Sequence, residues 1–366
     1  MKWIRGTVMN KSYSQKNKNT RAVMYAILAA SLYGISSPVS KLLLVELSPT
    51  FMAALLYLGA GLGMLMVSII SGRGKRGRTR TEAKLTRKEL PYVILMVLLD
   101  IAAPILLMFG LLGTTSANAS LLNNFEIVAT SLIALFIFNE AIGKRMWIAI
   151  GLITFSSMLL TLDDPMALKF SYGSFLVLLA CLCWGLENNT TRKLSIKDPM
   201  QVVIIKGFGS GLGSLIITLA LGEFLWKTSY VLFALLLGFA AYGVSIYFYI
   251  LAQRDLGAAR TSAYYAAAPF IGVFISFVVF GTRLTPIFLI ALLIMLAGTY
   301  FTVMEKHRHL HLHEEITHEH KHRHDDQHHD HVHEREFTGE HSHLHEHGQQ
   351  EHAHEHSPDI HHRHKH

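Results

Sequence analysis

The sequence predicts an all-α polytopic membrane protein: ten transmembrane helices arranged as two inverted five-helix repeats, followed by a disordered tail. Three observations carry that prediction: a composition split at one point, ten apolar runs, and a glycine pattern that occurs twice. The chain has 366 residues, with 33 Lys+Arg, 26 Asp+Glu, 23 His and 51% hydrophobic side chains. Every histidine falls between His307 and His366. Residues 305–366 hold eight apolar side chains, 7 basic and 14 acidic residues, a formal charge of −7. Residues 1–304 keep 26 basic and 12 acidic residues, a charge of +14. Their apolar share of roughly 59% is far above that of a water-soluble domain and excludes a soluble enzyme. Cys181 and Cys183 both lie inside an apolar run, which excludes a disulfide scaffold. The basic residues sit between apolar runs, where they read as membrane topology and not as a nucleic-acid surface.

A bilayer core of ~30 Å takes about 20 apolar helical residues. That length fits runs at 22–43, 50–70, 91–112, 116–138, 146–162, 172–191, 199–221, 230–252, 261–281 and 284–304. Several gaps are a few residues long, so neighbours form antiparallel hairpins. The domains that follow are a basic N-terminus (1–21), a first five-helix repeat (22–162), a linker (163–171), a second repeat (172–304) and the tail (305–366). Basic residues resist translocation and orient the spans. One set of loops carries twenty-one of them, including Lys2 to Arg21 and Arg73 to Lys88; the alternate loops carry Lys169, Lys227 and Arg283. Both termini are therefore expected in the cytoplasm, with the protein multi-pass in the cytoplasmic membrane. The linker 163–171 then lies outside. The first run is too long for a signal-peptide core and has Pro38 and Lys41 at its far end, so it reads as an uncleaved span.

The halves match. Gly59, Gly61 and Gly63 recur as Gly209, Gly211 and Gly213, an offset of 150. Ser48-Pro49 recurs as Asp198-Pro199 at the same offset, and Tyr33-Gly34 as Trp184-Gly185 at 151. Ala119-Ser120-Leu121 aligns with Thr261-Ser262-Ala263 at 142. Five spans is an odd number, so the second copy enters the membrane upside down. Inverted repeats make an interface that opens to either face, as in alternating-access transporters. The Gly-x-Gly-x-Gly strings lie mid-helix with no strand before them, so they read as close helix packing and not as a nucleotide fingerprint.

Four stretches carry a family resemblance: Ser31 to Leu65, Ala119 to Glu126, Cys183 to Asn189, and Thr261 to Phe274 with Pro269. Over about residues 20–304 the chain resembles the EamA-type transporters of the drug/metabolite transporter superfamily. The resemblance implies a 5+5 fold with spans one to four of each half lining a central path and the fifth packed behind. It also implies a Gly-Glu pair ending the fourth and ninth spans. Here the fourth ends Asn139-Glu140-Ala141-Ile142 and the ninth Gly281-Thr282-Arg283-Leu284, so the second acid is missing.

Ionisable groups inside a span are costly and face a cavity or a partner. Asp100, Glu126, Glu187 and Lys206 qualify. At ~1.5 Å per residue Asp100 and Glu126 fall near the midplane, while Glu187 and Lys206 lie at matching depth on consecutive spans, placed to pair. Ser120, Asn123, Glu126 and Thr130 share one helix face, as do Trp184, Glu187, Asn188 and Thr191. Tyr264 and Tyr265 precede Pro269, which frees a backbone carbonyl. Asp100, Asn123, Glu126, Glu187, Asn188, Lys206 and Tyr264 are the candidate substrate-binding residues, with Asp100 and Glu126 as proton or amine sites. The structural alternative stays open: an ion pair for Glu187–Lys206, and interhelical hydrogen bonds for the amides. No nucleophile–base constellation is present, so no enzymatic activity, and no required cofactor, is expected. The function expected is transport, by export, of a small polar metabolite or drug-like solute.

The tail alternates His-x-His with acids and has too few apolar residues to bury a core, so it is expected to be disordered. In extended chain, residues i and i+2 share a side. His307, His309, His311 and His313, then His318, His320, His322 and His324, then His341, His343, His345 and His347 form such rows. Neutral imidazole binds Zn²⁺, Ni²⁺ and Co²⁺. Two readings follow: a metabolite carrier whose tail binds divalent metal as a regulator, or a divalent transition-metal transporter whose tail collects or senses its cargo. The partners expected are a small-molecule substrate, the lipid bilayer and divalent metal ions, with no nucleic acid; an oligomer is compatible with either reading.

Overall fold

A computed structural model describes residues 20–73, 85–138, 143–164, 169–191, 194, 197–256, 261, 264–281 and 284–303, with four tail segments at 307–313, 316–322, 341–347 and 350–356. The expected basic N-terminus (but for its last two residues), Asn139 to Ile142, Thr282, Arg283 and His324 lie outside these. The described residues contain ten apolar helices in the expected order. They are α1 Thr20–Leu43, α2 Pro49–Arg73, α3 Leu90–Gly113, α4 Ser116–Ile137, α5 Lys144–Thr161, α6 Tyr172–Thr191, α7 Pro199–Ala220, α8 Thr228–Ala252, α9 Ala268–Phe280 and α10 Pro286–Val303. Seven of them are long and apolar enough to cross a bilayer on those grounds alone. Large apolar side chains stay exposed on their outer faces, Phe136, Phe155, Phe274 and Leu293 among them, as contact with lipid requires.

Local sequence sets the helix ends. Thr86 and Glu89 form a reciprocal capping box that leads into α3. Asp198 caps α7 by accepting from the Met200 N–H, with Pro199 at its first position, where no amide is needed. The Lys41 ammonium donates to the Leu111 and Thr114 carbonyls at the end of α3, which satisfies orphan acceptors there. Gly281 ends α9 at φ 57°, a left-handed conformation.

Four helices are interrupted near mid-depth. α1 has a turn at Ile35, and α4 a turn at Asn123–Asn124 that splits it into Ser116–Leu122 and Phe125–Phe138. α8 carries a π-helical stretch, Phe239–Val244. The ninth helix begins at Ala268, later than the run at 261–281 suggests. Pro269 in its first turn has no amide to donate to a preceding turn, and Ala266–Ala267 form the break. At the offset of 142 the Asn123–Asn124 break corresponds to 265–266, so both repeats interrupt the same span.

The glycines explain how closely the halves meet. Added Cβ atoms at Gly59 and Gly63 would strike Leu235 and Phe239 of α8; at Gly209 and Gly213 they would strike Val97 and Ile101 of α3. Gly61 and Gly211, the middle members, face α7 and α2 respectively. One repeat's contacts are the other's with the halves exchanged, and the helices approach along small residues as membrane packing favours. α5 and α10 pack together, where the Ser156 hydroxyl donates to the Ala291 carbonyl at 2.7 Å. The linker forms a small hairpin, β1 Leu162–Asp164 with β2 Lys169–Phe170. The tail adds four strands to this helical fold: β3 His307–His313, β4 Ile316–His322, β5 His341–His347 and β6 Gln350–His356.

Candidate functional site

Four helices bring one polar residue each to a buried cluster. Lys206 of α7 stands between two carboxylates, its Nζ 3.0 Å from Asp100 Oδ2 of α3 and 3.2 Å from Glu187 Oε1 of α6. The contact to Asp100 Oδ2 is an ion pair off the hydrogen-bond line, while the one to Glu187 is a hydrogen bond. The Tyr57 hydroxyl of α2 donates to Asp100 Oδ1 at 2.9 Å. Asp100 is fully buried, and Glu187 and Lys206 nearly so. The expected Glu187–Lys206 pair is therefore one side of a three-membered group, which also takes in Asp100. Charges removed from water hold together only when paired and hydrogen-bonded. Among the described residues, one ammonium stands between two carboxylates.

Glu126 belongs to a second cluster. The Asn188 amide of α6 donates to Glu126 Oε1 at 2.6 Å and to Thr130 Oγ1 at 3.4 Å, and Asn189 donates to the Thr130 carbonyl at 2.9 Å. Glu126 is half-buried and Asn188 exposed, so this pair borders open space. Polar groups at such depth face a cavity and not lipid. The break in α4 corrects the expected continuous polar face. Glu126 falls in the first turn of the second half-helix, at its positive dipole end. Asn123 stays behind in the turn, buried, its side-chain oxygen 4.0 Å from the Cys181 thiol, while its backbone carbonyl accepts from the Glu126 N–H at 3.1 Å. α6 links the clusters, since consecutive residues Glu187 and Asn188 reach one each.

Tyrosines run between them. Ring centroids are 5.3 Å apart for Tyr57–Tyr242, 5.9 Å for Tyr33–Tyr242, 5.7 Å for Tyr33–Tyr265 and 4.9 Å for Tyr249–Tyr265. Ser36 donates to the Tyr242 hydroxyl at 3.2 Å. Tyr264, the expected member, is 40% exposed, and its neighbour Tyr265 enters the aromatic row instead. Sequence reasoning missed Tyr57, Tyr33 and Tyr242. Tyr57 had a signal in its place beside the glycine run and Tyr33 in the repeated Tyr33-Gly34 pair; Tyr242 had none beyond being a tyrosine in an apolar span. Lys206 fills the position between Asp100 and Glu187 that a shared metal ion would need. Among the residues whose side chains are described, no group of three His, Cys, Asp or Glu is placed to hold one.

The two faces of the bundle are each fastened between repeats. On one, Lys227 pairs with Glu46, the Thr50 hydroxyl donates to Glu223 Oε2 at 2.6 Å, and Ser48 donates to the Glu223 carbonyl at 2.8 Å. On the other, Lys197 lies 3.3 Å from Glu89, and the Leu85 N–H donates to Gln201 Oε1 at 3.1 Å. The α1–α2 loop and the α6–α7 loop are repeat equivalents, each fastened to the opposite repeat. The polarity is reversed: acid on the first loop, base on the second.

The sequence pattern of the EamA-like transporter family matches residues 20–162 and again residues 171–304. An uncharacterized transporter of Methanothermobacter thermautotrophicus is 27% identical over 290 residues, which cover 75% of this chain and 83% of that one. A crystal structure of a protein 15% identical in sequence superposes with a TM-score of 0.57, over 76% of this chain and 94% of that one, and shows the fold alone. With two family repeats, ten helices and a charged cluster at their meeting point, the chain belongs to the EamA-like transporter family of the drug/metabolite transporter superfamily, a multi-pass membrane transporter and not an enzyme.

Proposed function

We propose that this transporter exports a small, polar, amine-bearing metabolite by alternating access, in exchange for protons. The observation that carries this is the charge count at the site. Among the described residues one ammonium, Lys206, stands between two carboxylates, and Glu126 has amide and hydroxyl neighbours with no cation within bonding distance. A proton or a substrate ammonium supplies the missing positive charge, and the two compete for one place. Competition of that kind is the coupling an exchanger needs: binding of one cation expels the other. The tyrosine row gives an aromatic wall beside the carboxylates, on which an ammonium or an apolar substituent rests.

By the count of basic residues, the α1–α2 and α7–α8 loops lie outside and both termini in the cytoplasm. The Glu46–Lys227 and Glu89–Lys197 fastenings then serve as outer and inner closures, opened in turn. Divalent metal as cargo finds less support, because Asp100 and Glu187, two of the three hard oxygen ligands at the site, are already engaged by an ammonium.

The test is uptake of radiolabelled α-amino acids and aliphatic diamines into proteoliposomes holding the full chain, with an imposed pH gradient. Accumulation that follows the gradient, and that Glu126→Gln uncouples from it, is expected. Accumulation by wild type that ignores the gradient, or a Glu126→Gln variant that still follows it, would refute the exchange.

A further inference from the structure

Tyr57 lies fully buried where α2 crosses α7, and backbone contacts set its place on several sides. Gly207, the residue after Lys206, meets α2 there: an added Cβ would lie 2.4 Å from the Gly61 nitrogen and 2.9 Å from the Tyr57 carbonyl oxygen. Gly209 and Gly213 of α7 seat Val97 and Ile101, which flank Asp100 on α3. The Tyr57 ring rests on Tyr242 of α8, its centroid 5.3 Å away, and Tyr242 is in turn held by Ser36. Hydroxyl, carboxylate and ammonium thus stand on three helices that small residues bring close together. At the offset of 150, Lys206 corresponds to Leu56 and Gly207 to Tyr57. The crossing that carries the charge on α7 carries the tyrosine on α2.

We infer that Tyr57 is a positioning residue: it acts through Asp100, holding that carboxylate charged and turned toward Lys206. On the proton-exchange reading given above, on which this consequence rests, Glu126 is then left as the carboxyl that trades protons.

Asp100 has two oxygen atoms and two unlike neighbours. Oδ2 faces the Lys206 ammonium at 3.0 Å without a hydrogen bond, and Oδ1 accepts from the Tyr57 hydroxyl at 2.9 Å. Among the described residues that hydroxyl is the donor whose hydrogen bond the carboxylate keeps. The terminal torsion of an aspartate is broad and two-fold, so one ionic contact does not decide which oxygen it presents; a donor fixed on the other oxygen does. Lysine reaches its partner on a flexible four-carbon stem, whereas the tyrosine ring has few torsions and is packed in place. A buried charge persists only where hydrogen bonds replace water. The other ionisable groups that face Asp100 are Lys206 of α7, Glu187 and Cys183 of α6, and Tyr242 of α8. Lys41 of α1 meets α3 at its far end, on the Leu111 and Thr114 carbonyls, and Glu126 of α4 is held by Asn188. With the Tyr57 hydroxyl gone, Asp100 keeps one ionic contact off the hydrogen-bond line. It then takes up a proton, since a neutral carboxyl needs fewer partners than an anion.

The test is infrared spectroscopy of the full chain in lipid, recording the C=O stretch of protonated carboxyl groups as pH falls from alkaline to neutral. Exposed carboxylates stay ionised over that range, so the band reports buried ones. Tyr57→Phe, which keeps the ring, is expected to gain a band over wild type, and Tyr57→Phe with Asp100→Asn is expected to lack it. The gain should match one carboxyl group, the same area that Glu126→Gln removes. No gain in folded Tyr57→Phe, or a gain that persists when Asp100→Asn is added, would overturn the assignment. Thermal unfolding shows whether each variant folds. If Tyr57→Phe alone does not, the double variant, which has no Asp100 charge to strand, is expected to fold; failure of both would equally overturn it. A spectrum that Glu126→Gln leaves unchanged counts against the exchange reading alone, because the Tyr57 comparison is made against Asp100→Asn.

Discussion

The two repeats share a scaffold and differ in chemistry. Gly59, Gly61 and Gly63 do in the first what Gly209, Gly211 and Gly213 do in the second, each set receiving helices of the opposite half. The charges do not follow. At the same offsets Lys206 corresponds to Leu56, Glu187 to Ser36 and Glu126 to Ala268. Close backbone approach needs symmetry because each interface appears twice, and a bulky residue in either copy would spoil the fit. Binding needs the reverse, since a single substrate is recognised by one constellation and not by its mirror. The aromatic side of the site, where Ser36 meets Tyr242, is what the charged side becomes when its ionisable residues are replaced.

That contrast breaks most visibly at Lys206. Lys206→Leu gives α7 the residue of its counterpart and strands two buried carboxylates, at a cost of about 3–5 kcal/mol. Thermal unfolding in detergent should show a large drop, and Asp100→Asn in the same chain should recover part of it. Next comes Glu126→Gln, which leaves the Asn188 contact an amide-to-amide one. Transport should lose its pH dependence while the unfolding temperature stays near wild type. The scaffold side is sharpened by Gly59→Ala, whose Cβ meets the backbone of Leu235, against Gly209→Ala, which meets the Val97 side chain and no backbone. The first should cost about 1–3 kcal/mol, the second less, and Gly151→Ala, with open space around it, nothing measurable. Smallest is the surface fastening. Lys227→Ala removes an ion pair whose lysine side chain is 51% exposed, so stability should change by less than about 1 kcal/mol. Lys197→Ala, at the 7%-exposed counterpart on the other face, should cost more.

The scaffold was legible in the sequence because its causes repeat along the chain. Apolar length gives the helices, and glycine spacing gives both the duplication and the packing. The ion-paired residues were legible one at a time, because a charge in an apolar span is conspicuous. Their grouping was not. That Lys206 reaches Asp100 as well as Glu187 depends on how α3, α6 and α7 converge, which no spacing within a helix encodes. Glu126 was found for its charge, yet its place at the start of a half-helix came from a break at Asn123–Asn124, residues that also suit a helix face. Tyr265 replaced Tyr264 because the turn at Ala266–Ala267 fixes which of two adjacent side chains enters the bundle.

The most direct test of the one-sided site is proton release on amine binding, measured in weakly buffered detergent solution with aliphatic diamines and α-amino acids as probes. Wild type should release protons with any amine that binds. Glu126→Gln should bind without release, and Glu187→Gln, whose carboxylate is held by Lys206, should release as wild type does. Undiminished release from Glu126→Gln, or amine binding by wild type with no proton released, would contradict the assignment of Glu126 as the place where proton and substrate compete.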